Sequence, residues 1–119
     1  MRNFVTQLEF EEYWFGRAEL SKPAGFRAAD KAFYVYFTAS WCGPCKRLDL
    51  EKIEAAAKAG GVPLWKVEQT ENDYTAGFCD VRSLPTFMLL EPRKVVSRIS
   101  SSKTEEIVEW MKAVGGSKK

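Results

Sequence analysis

A chain of 119 residues is long enough to bury one core without metal or disulfide staples, and too short for two. Its 45% hydrophobic, 13% aromatic and 29% charged residues are those of a folded domain, which leaves disorder to the ends. Eighteen basic residues against sixteen acidic ones, scattered along the chain for a net charge of +2, form no footprint for a nucleic-acid backbone or an anionic membrane, so neither partner is expected.

The first element in chain order is a short edge strand at Asn3, Phe4 and Val5. Thr6 and Glu9 have capping-box spacing and predict a helix to about Leu20, with Phe10, Tyr13 and Trp14 on its apolar side. Residues 21–30, with Pro23 and Gly25, have no period and predict a loop longer than most, to which no function is assigned. Residues 31–38 are aromatic and β-branched, as a central strand covered on both faces would be. From residue 43 to 59 the helix formers predict one continuous helix, with Leu48, Ile53 and Ala56 on its inner side and Gly60-Gly61 as its stop. A strand at 62–69 follows, then a short helix capped by Asn72 and running to Phe78. Strands at 86–90 and 95–99 pair as a hairpin, and a last helix over 104–114 places Ile107, Trp110 and Met111 on one face.

The order β-α-β-α-β-α-β-β-α predicts an α/β fold, a mixed sheet with helices on both faces, in one domain over residues 1–114 with a flexible tail at 115–119. Trp14, Trp65 and Trp110 are expected in the core or at its edge. No apolar run approaches the roughly 20 residues of a membrane span, and acids stand near the N-terminus where a signal peptide would be apolar. Export is therefore not expected.

Three cysteines are too few and too odd in number for a secreted disulfide framework, so a reducing, cytoplasmic compartment is expected. Two of them, Cys42 and Cys45, lie three positions apart at a strand-to-helix junction. A zinc site would need two more ligands, yet the chain has only Cys79 and no histidine, which also excludes a cysteine–histidine hydrolase. At a helix start the free N–H groups and positive dipole end favour the thiolate, and in Cys-x-x-Cys motifs the attacking pKa falls from ~8.5 to about 7. Cys42 is thus the expected nucleophile. Cys45, one turn further in, is expected to be more buried and protonated. Gly43 permits close approach of a partner backbone, and Pro44 fits a first turn where its missing N–H is not needed.

Trp41-Cys42-Gly43-Pro44-Cys45-Lys46, together with Val81-Arg82-Ser83-Leu84-Pro85-Thr86 at the right distance, resembles the thioredoxin family from about residue 33 to 111. The resemblance implies a four- to five-stranded thioredoxin fold and a protein-disulfide reductase, without cofactor or metal, in which Cys42 attacks and Cys45 resolves through a redox-active Cys42–Cys45 disulfide. It also implies that Pro85 follows a cis peptide facing the cysteines. Trp41, Gly43, Pro44, Leu84, Pro85 and Thr86 would form the substrate groove, and an extended substrate segment would pair with the main chain at Leu84. The expected partners are disulfide-containing proteins and a thioredoxin reductase as electron donor, with the chain a monomer serving electron transport and redox homeostasis. Its Gly-Pro dipeptide implies a potential near about −270 mV, suited to reduction rather than oxidation or isomerisation.

The chain departs from that pattern at Tyr36 and Ser101. Tyr36 stands where the family has a buried aspartate, with Lys66 at the lysine that normally faces it; a phenol is a poor base at neutral pH, so a slowed release step and plain core packing are both readings of it. Ser101 replaces a glycine beside the groove. Cys79 matches an extra cysteine of some relatives, for which an inert buried thiol and a regulatory thiol are the two readings. The competing function is a non-enzymatic binding subunit of the same fold, because fold alone does not assign activity.

Overall fold

The computed structural model describes residues 1–15 and 32–116. It contains β1 (Arg2–Asn3), α1 (Gln7–Trp14), β2 (Phe33–Thr38), a 3₁₀ turn (Pro44–Arg47), α2 (Leu50–Ala59), β3 (Leu64–Glu68), α3 (Asp73–Phe78), β4 (Thr86–Glu91), β5 (Lys94–Ser100) and α4 (Thr104–Gly116). The sheet order is β1-β3-β2-β4-β5, parallel on the β1–β3–β2 side and antiparallel from β2 to β5, so the five-stranded sheet is mixed.

β2 lies at its centre and all six of its residues are buried. Its period of two divides the core: Phe33, Val35 and Phe37 face one layer with α1 and α3, while Tyr34 and Tyr36 face the other with α2 and α4. The first layer is a mesh of rings around Phe4, which stacks on Trp65 at 4.3 Å and meets Phe10, Tyr13 and Phe33 edge-on. Its main chain is tied as well, because Phe4 N–H donates to Lys66 O and Phe4 O accepts from Asn72 Nδ2. Phe4→Ala is expected to lower the unfolding free energy by about 3–5 kcal/mol, read as a fall in the urea midpoint. A loss below about 1 kcal/mol would mean that this layer repacks without it.

The three tryptophans fall as expected: Trp65 is buried, Trp14 half-buried against Phe10, and Trp110 half-buried with its Nε1 donating to Ser97 Oγ. Thr6 forms the capping box of α1, but the helix closes at Phe15, whose N–H donates to Glu11 O. Residues 16–20 of its expected extent, the loop at 21–30 and residues 117–119 of the tail lie outside the described residues. α3 begins at its Asn72 cap as expected, and α4 runs to Gly116, two residues past Val114.

The continuous helix over 43–59 is not found. Leu48 is extended, at ψ 138°, and separates the 3₁₀ turn from α2. Asp49 is the reason: its side chain accepts from Lys52 N–H as an N-cap, and its own N–H donates to Thr104 Oγ1 at 2.9 Å. An aspartate gains more as a cap than inside a helix, and the bond to Thr104 fixes that choice from 55 residues away. Among the described residues no helix is long and apolar enough to cross a membrane.

Candidate active site

β2 ends at Thr38, and the chain turns at once: Cys42 N–H donates to Ala39 O, and Pro44 opens the 3₁₀ turn. Cys42 and Cys45 are joined in a disulfide, with Cα atoms 5.4 Å apart. Cys45 N–H donates to Cys42 Sγ at 3.2 Å, a bond that favours negative charge on that sulfur when the pair is reduced. It replaces much of the support expected from a long helix, since a four-residue turn carries little macrodipole.

The burial order differs from expectation. Cys42 is 3% exposed and Cys45 6%, because Ala39 and Leu84 pack around both. What separates them is the direction of access. Cys42 lines an open groove of about 440 Å³ and Cys45 does not. One wall is Trp41, Cys42, Gly43 and Pro44; the other is Val81, Arg82, Ser83 and Leu84, with Gln69 at the edge. Trp41 is 67% exposed, which marks it as a rim rather than core.

Of the expected groove residues, Trp41, Gly43, Pro44 and Leu84 line this space. The Leu84–Pro85 peptide is cis, and Pro85 lines an adjoining cleft with Ser100, Ser101 and Ser102. Thr86 is a correction. It is buried at 2% beneath the groove, where its hydroxyl donates to Ser83 O at 2.7 Å and lies 2.7 Å from Ser100 Oγ. Gln69, Val81, Arg82 and Ser83 were not among the expected groove residues, although residues 81–83 stand in the motif that carries the resemblance. The Ser101 hydroxyl donates to Glu106 Oε1 at 2.6 Å and accepts from Lys103 N–H, so it is spent on the entry to α4.

Tyr36 is 2% exposed and stacks on Phe87 with ring centroids 4.6 Å apart, in the layer of α2 and α4. Burial raises its pKa, the Thr38 hydrogen bond opposes this, and the Glu68 charge adds to it. Lys66 is opposite Tyr36 in the neighbouring strand. Glu68 takes the role of a tether instead. Its Oε2 accepts from Ser40 N–H at 2.9 Å and from the Thr70 hydroxyl at 2.7 Å, fastening the loop that leads into Trp41. Burial would raise the Glu68 pKa, but the Thr70 hydroxyl, the Ser40 and Thr70 N–H groups and the Lys66 charge together hold it below its ordinary value.

A carboxyl with a depressed folded pKa stabilises the fold above its unfolded pKa, and that stability is lost as pH falls through the folded value. Glu68→Gln is therefore expected to be less stable than wild type at pH 7 and nearly equal to it in strong acid. Melting curves from neutral pH to pH 2 check this, and a constant gap across the range would refute it. Cys79, at the end of α3, is 6% exposed, and burial pushes its thiol up to about 12 against the Arg98 charge. Such a thiol is un-ionised at neutral pH. Among the described residues no three His, Cys, Asp or Glu side chains are placed to hold a metal.

Residues 22–113 match the family model for thioredoxin. The chain is 40% identical over 70 residues to a thioredoxin of Geodia cydonium, across 59% of this chain and 66% of that one. It is 31% identical over 87 residues to a thioredoxin of Gallus gallus, across 73% and 83%. The first of these matches thus spans just under two thirds of its relative's length. Among solved structures, the thioredoxin of Fasciola hepatica superposes with a TM-score of 0.73 at 29% identity, covering 96% of this chain and 99% of that one. A thioredoxin of Nicotiana alata gives 0.72 at 26%, covering 95% and 90%.

Proposed function

The chain belongs to the thioredoxin family, with a close cysteine pair suited to thiol–disulfide redox chemistry, and on that premise we propose that it is a protein-disulfide reductase. One observation carries the reading: of two cysteines already within bonding distance, only Cys42 opens onto a groove. Reduced, the Cys42 thiolate attacks one sulfur of a substrate disulfide. A Cys42–substrate bond forms, the substrate S–S bond breaks, and the departing thiolate takes up a proton. Cys45, deprotonated, then attacks Cys42 Sγ, closing the Cys42–Cys45 bond and releasing the second substrate thiolate, which is protonated in turn. Two electrons and two protons pass to the substrate.

The ring closes within one tight turn, so the second attack is intramolecular and outpaces attack on the mixed disulfide by a thiol from solution. Trp41 and Leu84 shield the reacting sulfurs, and the main chain at Leu84 pairs with an extended substrate segment regardless of its side chains. A dithiol donor of the thioredoxin reductase kind returns two electrons to the pair. We place this activity in the cytoplasm, in a monomer whose residues 1–114 act as one domain.

Insulin reduction driven by dithiothreitol tests the reading. Precipitation of the freed insulin chain is expected well ahead of dithiothreitol alone. A rate equal to that background, with the protein folded and its pair reduced, would overturn it.

A further inference from the structure

We propose that Arg98, on β5 and outside the groove, is a positioning residue that fixes the wall opposite Cys42 and so sets the fit of protein substrates; this rests on the reductase reading above. That wall, Val81 to Leu84, follows a helix of only six residues. α3 closes by bonds from Cys79 N–H to Thr75 O, Asp80 N–H to Gly77 O and Val81 N–H to Ala76 O, with Asp80 at a left-handed φ of 56°. An aspartate tolerates that φ better than most residues, but the closure is short, and the Cys79 and Asp80 carbonyls lie just past the end of the helix.

Arg98 supplies the donors. Its Nη2 donates to Cys79 O at 3.0 Å and its Nη1 to Asp80 O at 3.2 Å, one planar group holding two successive carbonyls. Two residues on, and so on the same face of β5, Ser100 holds the other end of the segment. Ser83 Oγ donates to Ser100 Oγ at 3.3 Å, and Thr86 Oγ1 donates to Ser83 O. With the Thr86 proton spent there, the 2.7 Å contact between Thr86 and Ser100 is made by the Ser100 hydroxyl as donor.

Residues 81 and 82 are thus stretched between two fixed points on one strand. Arg82 lines the groove and its Nε donates to Asp80 Oδ1 at 3.1 Å, but both side chains are largely exposed and such a pair orders little by itself. Its place depends on where Asp80 is held, and Arg98 holds it. A wall built this way matters to a protein that must lie along the groove, and not to a small disulfide that needs only the Cys42 sulfur.

The experiment compares reduced wild type, Arg98→Met and Arg98→Lys against two oxidants, insulin and 5,5′-dithiobis(2-nitrobenzoate), with melting midpoints measured in parallel. For Arg98→Met the KM for insulin is expected to rise about fivefold with kcat within about twofold, while the small disulfide reacts at the wild-type rate. Arg98→Lys, which can satisfy one carbonyl at a time, falls between. An unchanged insulin KM in folded Arg98→Met overturns the proposal, and so does an equal slowing with both oxidants, which would mean general damage. Should Arg98→Met not fold, Arg98→Lys carries the same comparison with the same two readings. If wild type reduces neither oxidant, the reductase reading itself falls; if it reduces both and the ratio is unmoved in the variants, only the role of Arg98 is lost.

Discussion

Cys42→Ser is expected to bring insulin reduction down to the dithiothreitol background, a loss of at least about a thousandfold in the catalysed rate. A serine hydroxyl is not ionised at neutral pH and forms no S–S bond, so both properties that the first attack requires disappear together. Cys45→Ser differs in kind. Cys42 still lines the groove and still attacks, but nothing closes onto it, and the mixed disulfide with substrate accumulates. Intact mass under non-reducing conditions should show a covalent adduct with Cys45→Ser and none with Cys42→Ser. The reverse pattern would exchange the two roles. If wild type and both variants are equally inert and none forms an adduct, the chain binds a partner through the Trp41 rim and its thiols are incidental.

The place of Cys42 and Cys45 at the turn that follows the central strand was legible in the sequence, but the form of that turn was not. Helix-forming residues over 43–59 predict a long helix whose dipole would acidify the thiol, and a distant hydroxyl, Thr104 Oγ1, breaks that helix at Asp49. Local propensity carries no information about a partner 55 residues away. The elements read correctly are those whose signal is internal: the capping box of α1, the Asn72 cap of α3 and the buried run of β2. The groove is the opposite case. Thr86 is adjacent to Pro85 in sequence, yet the register that pairs it with Ser100 turns its side chain beneath the surface. Gln69 and Arg82 reach the site from loops after β3 and α3, where no periodicity points anywhere.

Tyr36→Asp is expected to do two opposed things. It removes a buried ring stacked on Phe87 and places a carboxyl in an apolar layer, which should cost about 3–5 kcal/mol. Burial raises the pKa of such a carboxyl, and the sign of the linkage follows from that. An acid with a raised folded pKa leaves stability untouched below its unfolded value, about 3.9, and weakens it progressively as pH rises towards the folded one. The gap to wild type should therefore widen between pH 4 and pH 8. The same ionisation places a base at position 36. With the Tyr36 phenol pushed above its ordinary value and Glu68 held below its own by its donors, neither is suited to take a proton near neutrality. A carboxylate at position 36 should speed release of the mixed disulfide by about tenfold or more in single-turnover insulin reduction, and most at the pH where the variant is least stable. Tyr36→Phe is the control, keeping the ring and losing the hydroxyl, and should release at the wild-type rate. Equal release in all three at every pH would leave Tyr36 a packing residue and nothing more.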